Sequence, residues 1–376
     1  MFVLAGSAVA VALAGVTRYT HTGAVVPFVV AAVAVALLAS LVGRSVEQLG
    51  DRFGAGATGV LQSALGNLPE LFIGFFALQA GLVAVVQAAI IGSILANLLL
   101  VLGLAFLVGG LRHGTQRFSS QRAQTTMVLL VLATGALVLP SVASYVHAPA
   151  EPHEKQLAII VSVVLLAIFA LSLPASLTRE PEGGVPADRP DGKTGARPAE
   201  PPGVPADRPD GKTGARPAEP HEEPRWPVWL AVGMLALSGV LAAVVSDWFV
   251  HALEPAIDAL GMSQAFAGLI VVAIAGNAVE NVVGIQLAAR NQADYAISVI
   301  VNSPLQIALV LAPALVLLSL LTATTLTLVF APLLVIAVVL TVLAVTLIVY
   351  DGESNWLEGA TLIALYVIIA TVFWWG

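Results

Sequence analysis

The sequence predicts an all-α polytopic membrane protein of about eleven transmembrane helices, a leader helix followed by two inverted-topology five-helix repeats. Three observations carry this expectation. Of 376 residues, 58% are hydrophobic and only 10% charged, against roughly a quarter charged in a typical soluble domain. The apolar residues come in runs of 18 or more, long enough to cross a hydrocarbon core about 30 Å thick. The pattern G-N-x-x-E occurs twice, at Gly66–Glu70 and Gly276–Glu280, and each time inside such a run.

In chain order the expected spans are 2–17, 24–43, 57–79, 83–109, 123–146, 156–177, 226–249, 263–289, 294–320, 325–350 and 355–375. No strand-length alternation interrupts them. Met1-Phe2-Val3 leads straight into the first run with no basic segment, so this run reads as a retained span and not a cleaved signal. A bacterial plasma (inner) membrane is the simplest location. The organisation that follows is a leader at 1–23, a first repeat at 24–177, a linker at 178–225 and a second repeat at 226–376. In the linker, GVPADRPDGKTGARPAEP at Gly184–Pro201 is repeated unchanged at Gly203–Pro220. Proline, glycine and mixed charge at this density bury too little apolar surface to fold, which predicts a disordered tether. Its ten acids against eight bases make a poor sensor for cations.

Lysine and arginine set the expected orientation. Loops on the amino-terminal side, with the linker, hold 14 of the 16 basic residues, and Arg18 and Lys155 are alone on the other side. The amino terminus and linker are therefore expected in the cytoplasm and the carboxyl terminus outside. The net charge of −7 comes with no basic patch interleaved with aromatics, which argues against nucleic acid as a partner. Cysteine is absent, which excludes disulfides, thiolate metal sites and cysteine nucleophiles. No nucleophile–base pair or zinc motif lies in the spans, so an enzyme is not expected.

Acids inside spans are costly and mark functional sites. Nearly all of the 23 acidic residues fall in loops, linker or span ends, whereas Glu70 and Glu280 lie well inside theirs. The motif puts Asn67 three residues before Glu70, and Asn277 three before Glu280, on one helix face. Ser93 follows Glu70 by 23 residues and Ser303 follows Glu280 by the same interval, so a helical hairpin can bring each serine level with its glutamate. The two motif spans run in opposite directions, the arrangement that builds a midplane site between inverted repeats. Pro69 and Pro304 each remove an amide, freeing the carbonyls of Leu65 and Ile300, and such carbonyls are tolerated at this depth only where protein or a bound ion satisfies them. Carboxylates, asparagine amides, hydroxyls and carbonyls are hard oxygen donors suited to Ca²⁺. None of the six histidines lies in the middle of a span.

At these residues the chain resembles the calcium/cation exchanger superfamily, and most closely its Ca²⁺/H⁺ antiporter branch. SVEQLGDRFGAG, GNLPELFIGFFALQAGL and GSILANLLLVLG resemble the first signature repeat. GNAVENVVGIQLAARNQADYAI and NSPLQIALVLAPALVLL resemble the second. The resemblance implies Ca²⁺ export driven by proton entry through alternating access, with Ca²⁺ and H⁺ as transported ions, the bilayer as surroundings and no cofactor. Na⁺/Ca²⁺ exchange or H⁺-coupled transport of another cation is the alternative, and a homo-oligomer is compatible with it. It also implies that Glu70 and Glu280 bind the ion, with Gly66, Gly276, Asn67, Asn277, Ser93, Ser303 and Gln306 lining or supporting the site. The chain departs from the branch in carrying Asn281 where a histidine usually follows the second glutamate. Leu68-Pro69 leans toward the Na⁺/Ca²⁺ exchanger pattern, yet Ile307 stands where that pattern has an acid or polar residue.

Overall fold

The computed structural model describes residues 2–20, 22–50, 65–177 and 226–375, with side chains left out at 2, 173–177 and 279–281. The leader is α1 (Phe2–Tyr19), and the first repeat follows with α2 (Val25–Gly50), α3 (Leu68–Gln79), α4 (Val83–His113), α5 (Ser120–Tyr145) and α6 (Glu154–Leu177). After the linker come α7 (Val228–Leu260), α8 (Gln264–Gly276), α9 (Ala278–Ala289), α10 (Ala293–Ser319), α11 (Pro332–Ile348) and α12 (Trp356–Trp374). A two-residue antiparallel pairing, β1 (Gln116–Arg117) with β2 (Glu353–Ser354), is the extended structure that the all-α expectation left out. The linker, with both copies of its duplicated segment, and residues 57–64 of the third expected span lie outside the described residues.

Among the described residues seven helices are long and apolar enough to cross a bilayer, and four shorter apolar helices match the remaining expected spans. α4 is an inner helix, with 83% of its apolar stretch buried, whereas α6 is peripheral at 17%. Leu171, Trp229 and Leu347 point outward from peripheral helices, as a hydrocarbon solvent requires. α2 lies along α7, and Phe28 stacks on Phe249 between them with ring centroids 5.2 Å apart.

The repeat is visible in the backbone. α3 and α9 are each 12 residues long and begin 210 positions apart. α4 and α10 begin with the same offset, at Val83 and Ala293. Both contain a π-helical turn at matching points, Ala96–Val101 and Ile307–Leu311. Such turns recur at functional sites.

Two boundaries correct the sequence expectation. α7 continues to Leu260, well past 249, because Val250, Leu253, Ala256 and Ile257 stay buried, and it ends at Gly261 in the left-handed conformation that glycine adopts without strain. The tenth span starts at Pro332 and not at 325, since residues 320–331 form a strap that turns at 320–324 and then runs on outside any helix. Leu326, Leu328 and Phe330 are buried at alternate positions, the two-residue period of extended backbone. Overall hydropathy hid this alternation.

α4 and α8 cross with their backbones in contact. A Cβ on Gly92 would overlap the carbonyl oxygen of Leu269, and one on Gly268 would overlap that of Val85. Small residues at helix crossings permit this approach within membranes. Gly92→Ala is therefore expected to destabilise the protein by about 1–3 kcal/mol, the usual cost of overpacking. A lower melting temperature in detergent, measured against wild type, checks it; an unchanged one would contradict the crossing.

Candidate cation site

Both motif spans break at the same point. Asn67 (φ −92°, ψ 17°) and Asn277 (φ −90°, ψ 12°) leave the helical conformation just before α3 and α9. Proline is not needed for the break, because the second motif has Ala278-Val279 in place of Leu68-Pro69 and breaks identically. Gly-Asn is what the two share. Pro69 sits in the first turn of α3, where a missing amide costs nothing. Glu70 falls in that same first turn and is 7% exposed, so its carboxylate stands at the positive end of the helix dipole. Glu280 occupies the matching turn of α9; its side chain lies outside the described residues.

Glu70 lies flat against the second repeat. A Cβ on Gly276 would collide with Cγ of Glu70 and stand 3.1 Å from its Oε1. The glycine is thus the space that the carboxylate occupies. Next to it Asn277 joins three elements. Its Nδ2 donates to Ser93 Oγ (3.0 Å) and to the Ala273 carbonyl (2.9 Å), and its Oδ1 accepts from Asn97 Nδ2 (3.1 Å). Asn97 Nδ2 also reaches the Ser93 carbonyl (2.9 Å). Ser93, Asn97 and Asn277 are almost fully buried. A cavity of about 20 Å³ opens beside them, lined among others by Glu70, Ser93, Gly74, Val86, Ala89 and Leu315, with room for one water-sized species.

The structure therefore brings together Glu70, Ser93, Gly276 and Asn277 of the predicted set. The other half differs. Asn67 and Ser303 are buried, yet Asn67 Nδ2 and Ser303 Oγ have no hydrogen-bond partner among the described residues, and neither has Gln306 Oε1. The image of the Asn277–Ser93 bond is not formed. Gly66 forms the turn before Asn67, as Gly276 precedes Asn277. Asn97 was missed in the sequence. Its signal was present, since it lies one helical turn after Ser93 in GSILAN, but its repeat counterpart is the apolar Ile307, so symmetry did not point to it.

Chemically, the described side chains offer carboxylate, amide and hydroxyl oxygens. Among the described residues no group of three or more acids or histidines converges. A bound cation would draw on one carboxylate from each motif, with amide and hydroxyl oxygens and the carbonyls around the breaks, a hard donor set that fits Ca²⁺. Asn97 Oδ1 is buried and without a hydrogen bond, which leaves it open to accept such an ion.

The sodium/calcium exchanger protein family matches residues 23–178 and 230–375, one match for each half. The Ca²⁺/H⁺ antiporter ChaA of Bacillus subtilis (strain 168) is 35% identical over 376 residues, covering 99% of this chain and 98% of that protein. The Ca²⁺/H⁺ antiporter of Synechocystis sp. is 35% identical over 350 residues, with 92% and 90% covered. Among solved structures, native YfkE superimposes with a TM-score of 0.78 at 33% identity, covering 99% of both chains.

Proposed function

The chain belongs to the sodium/calcium exchanger protein family, and from that premise we propose that it is a Ca²⁺/H⁺ antiporter that exports Ca²⁺ by alternating access. It is a secondary transporter and not an enzyme. The observation that carries this reading is the seat of Glu70 on Gly276, where two broken helices from opposite repeats meet beside the Asn277–Ser93–Asn97 network. Ca²⁺ sits between Glu70 and Glu280, with Asn97, Asn67, Ser93 and Ser303 supplying neutral oxygens. Two carboxylates held within the membrane with no cation between them repel each other in a medium that solvates charge poorly. Protons take the place of Ca²⁺ when it leaves, and this exchange couples the two fluxes.

The protein spans the inner membrane many times. Its amino terminus and linker face the cytoplasm, as the arginine and lysine distribution argues. The face where α3 ends and α4 begins is then external, and the face where α9 ends and α10 begins is cytoplasmic. Radiolabelled Ca²⁺ flux in proteoliposomes under imposed H⁺ or Na⁺ gradients tests the function. A flux driven by the H⁺ gradient is expected; one driven by Na⁺ alone would overturn the coupling ion.

The linker enters as a tether. Deleting Gly203–Pro220 is expected to leave flux and its Ca²⁺ dependence near wild type, since loop-closure entropy changes by only about 0.6 kcal/mol for each doubling of length. An altered Ca²⁺ dependence in the deletion would give the linker a regulatory role.

A further inference from the structure

On each face a loop crosses from one repeat to grip the last carbonyls of the other repeat's glutamate helix. On the α9–α10 face the loop is 113–119, from the first repeat. Buried Gln116 donates Nε2 to the Ala288 carbonyl (3.0 Å) and to Asn291 Oδ1 (3.0 Å), and His113 Nε2 lies 3.0 Å from the Ala289 carbonyl. On the α3–α4 face the loop is the 320–331 strap, from the second repeat. Thr324 Oγ1 donates to the Leu78 carbonyl (2.7 Å), and Gln87 Nε2 holds the strap through the carbonyls of Thr327 (3.1 Å) and Val329 (2.9 Å). Ser141 fixes the strap from below, donating to Leu328 O and accepting from Phe330 N.

Leu78 and Ala288 are 210 positions apart, the same offset as Glu70 and Glu280. The two ties therefore strike equivalent points, although a glutamine makes one and a threonine the other. Carbonyls at a helix end need a partner; Gly81 N and Asn291 N supply one to Leu78 and Ala288 from each helix's own turn, and a side chain from the opposite repeat adds a second donor on both faces. α3 and α9 are thus 12-residue levers. Each has its glutamate near the midplane break and its far end tied at one face.

We propose that these ties are opposing latches, the Gln116 latch on the cytoplasmic face and the Thr324–Gln87 strap on the external face, and that their balance sets which face the site opens to. Gln116, Gln87 and Thr324 are positioning residues in this scheme, acting through α9 and α3. The proposal rests on the alternating-access reading, but the labelling arm of its test does not depend on which ion is carried.

The chain has no cysteine, so Ala89→Cys places one thiol in the cavity beside Glu70, on the strap side. Its labelling rate by a membrane-impermeant maleimide from the external face reports external opening. Gln116→Leu is expected to slow labelling about three- to tenfold by freeing the cytoplasmic side, and Gln87→Leu or Thr324→Val to speed it by a similar factor. The apparent KM for Ca²⁺ is expected to move in opposite directions at the two faces in each variant. Should Gln116→Leu not fold, Asn291→Gly removes one acceptor of the same latch and keeps the positive φ of that position (61°). Labelling that shifts the same way in both classes of variant, or not at all, overturns the latches, as does an equal loss of affinity at both faces. Reciprocal labelling shifts without Ca²⁺ flux in the parent would uphold the latches and refute the antiport reading.

Discussion

Replacing either Glu70 or Glu280 with glutamine is expected to abolish Ca²⁺ flux while leaving the protein folded and expressed. Glutamine matches glutamate in size and keeps one carbonyl oxygen, so the packing of Glu70 against Gly276 survives. What goes is one negative charge. A divalent ion facing a single carboxylate leaves an uncompensated buried charge, at a cost of about 3–5 kcal/mol. At 1.4 kcal/mol for each factor of ten, affinity falls by roughly 10²–10³-fold or more. Two measurements check this together. Radiolabelled flux in proteoliposomes should vanish in both variants, and Ca²⁺ should raise the melting temperature of wild type but of neither variant, because only a ligand that binds the native state stabilises it. Flux near wild type in either variant would remove that residue from the site.

The second large effect concerns pH. Ca²⁺ affinity should fall as pH falls, because protons and Ca²⁺ compete for the same carboxylate oxygens. With two carboxylates exchanging two protons for one Ca²⁺, the expected steepness reaches about a hundredfold for each pH unit once the pH is low enough that the empty site holds both protons. The pair should titrate as a unit, with no separate value for either member. The Ca²⁺-loaded and doubly protonated forms carry the same local charge, so exchange at about two protons per Ca²⁺ should be close to electroneutral. Asn281 stands where the branch it resembles usually has a histidine, so the competition rests on the carboxylates without a neighbouring imidazole. Ca²⁺ binding at several pH values, with flux under a clamped membrane potential, decides the matter. Binding indifferent to pH, or strong voltage dependence, would overturn the scheme.

Which parts of this were legible in the sequence follows from physics. Spans were legible because hydrocarbon admits few residue types, and Glu70 and Glu280 because a carboxylate at that depth is rare. The 210-residue offset carried from motif to backbone, reproducing in α3 and α9 the spacing of their glutamates. Glycine and proline were both expected to loosen the helix near each glutamate, and the glycine is the part that the two breaks share. Pro69 stands in one copy only, while Gly-Asn stands at the break in both. The strap escaped notice since Thr325–Phe330 is as apolar on average as a helix, and its alternation occupies only six residues. Gln116 was illegible for another reason: its partners at Ala288 and Asn291 are more than 170 positions away, and nothing local distinguishes it from a surface glutamine.

Asn97 and Ile307 occupy equivalent places in the two halves, both fully buried, one polar and one not. A protein with identical halves would, on exchanging their conformations, become the same molecule upside down. Its two end states would be degenerate, and neither side of the membrane could be preferred. The unlike pair lifts that degeneracy. Asn97 donates to Asn277 Oδ1, whereas Ile307, at the equivalent place, has no donor to offer Asn67 in return. Sidedness in such a molecule resides in a few mismatched side chains laid over a backbone that treats both directions alike, so one substitution at either position can change how unequal the two directions are.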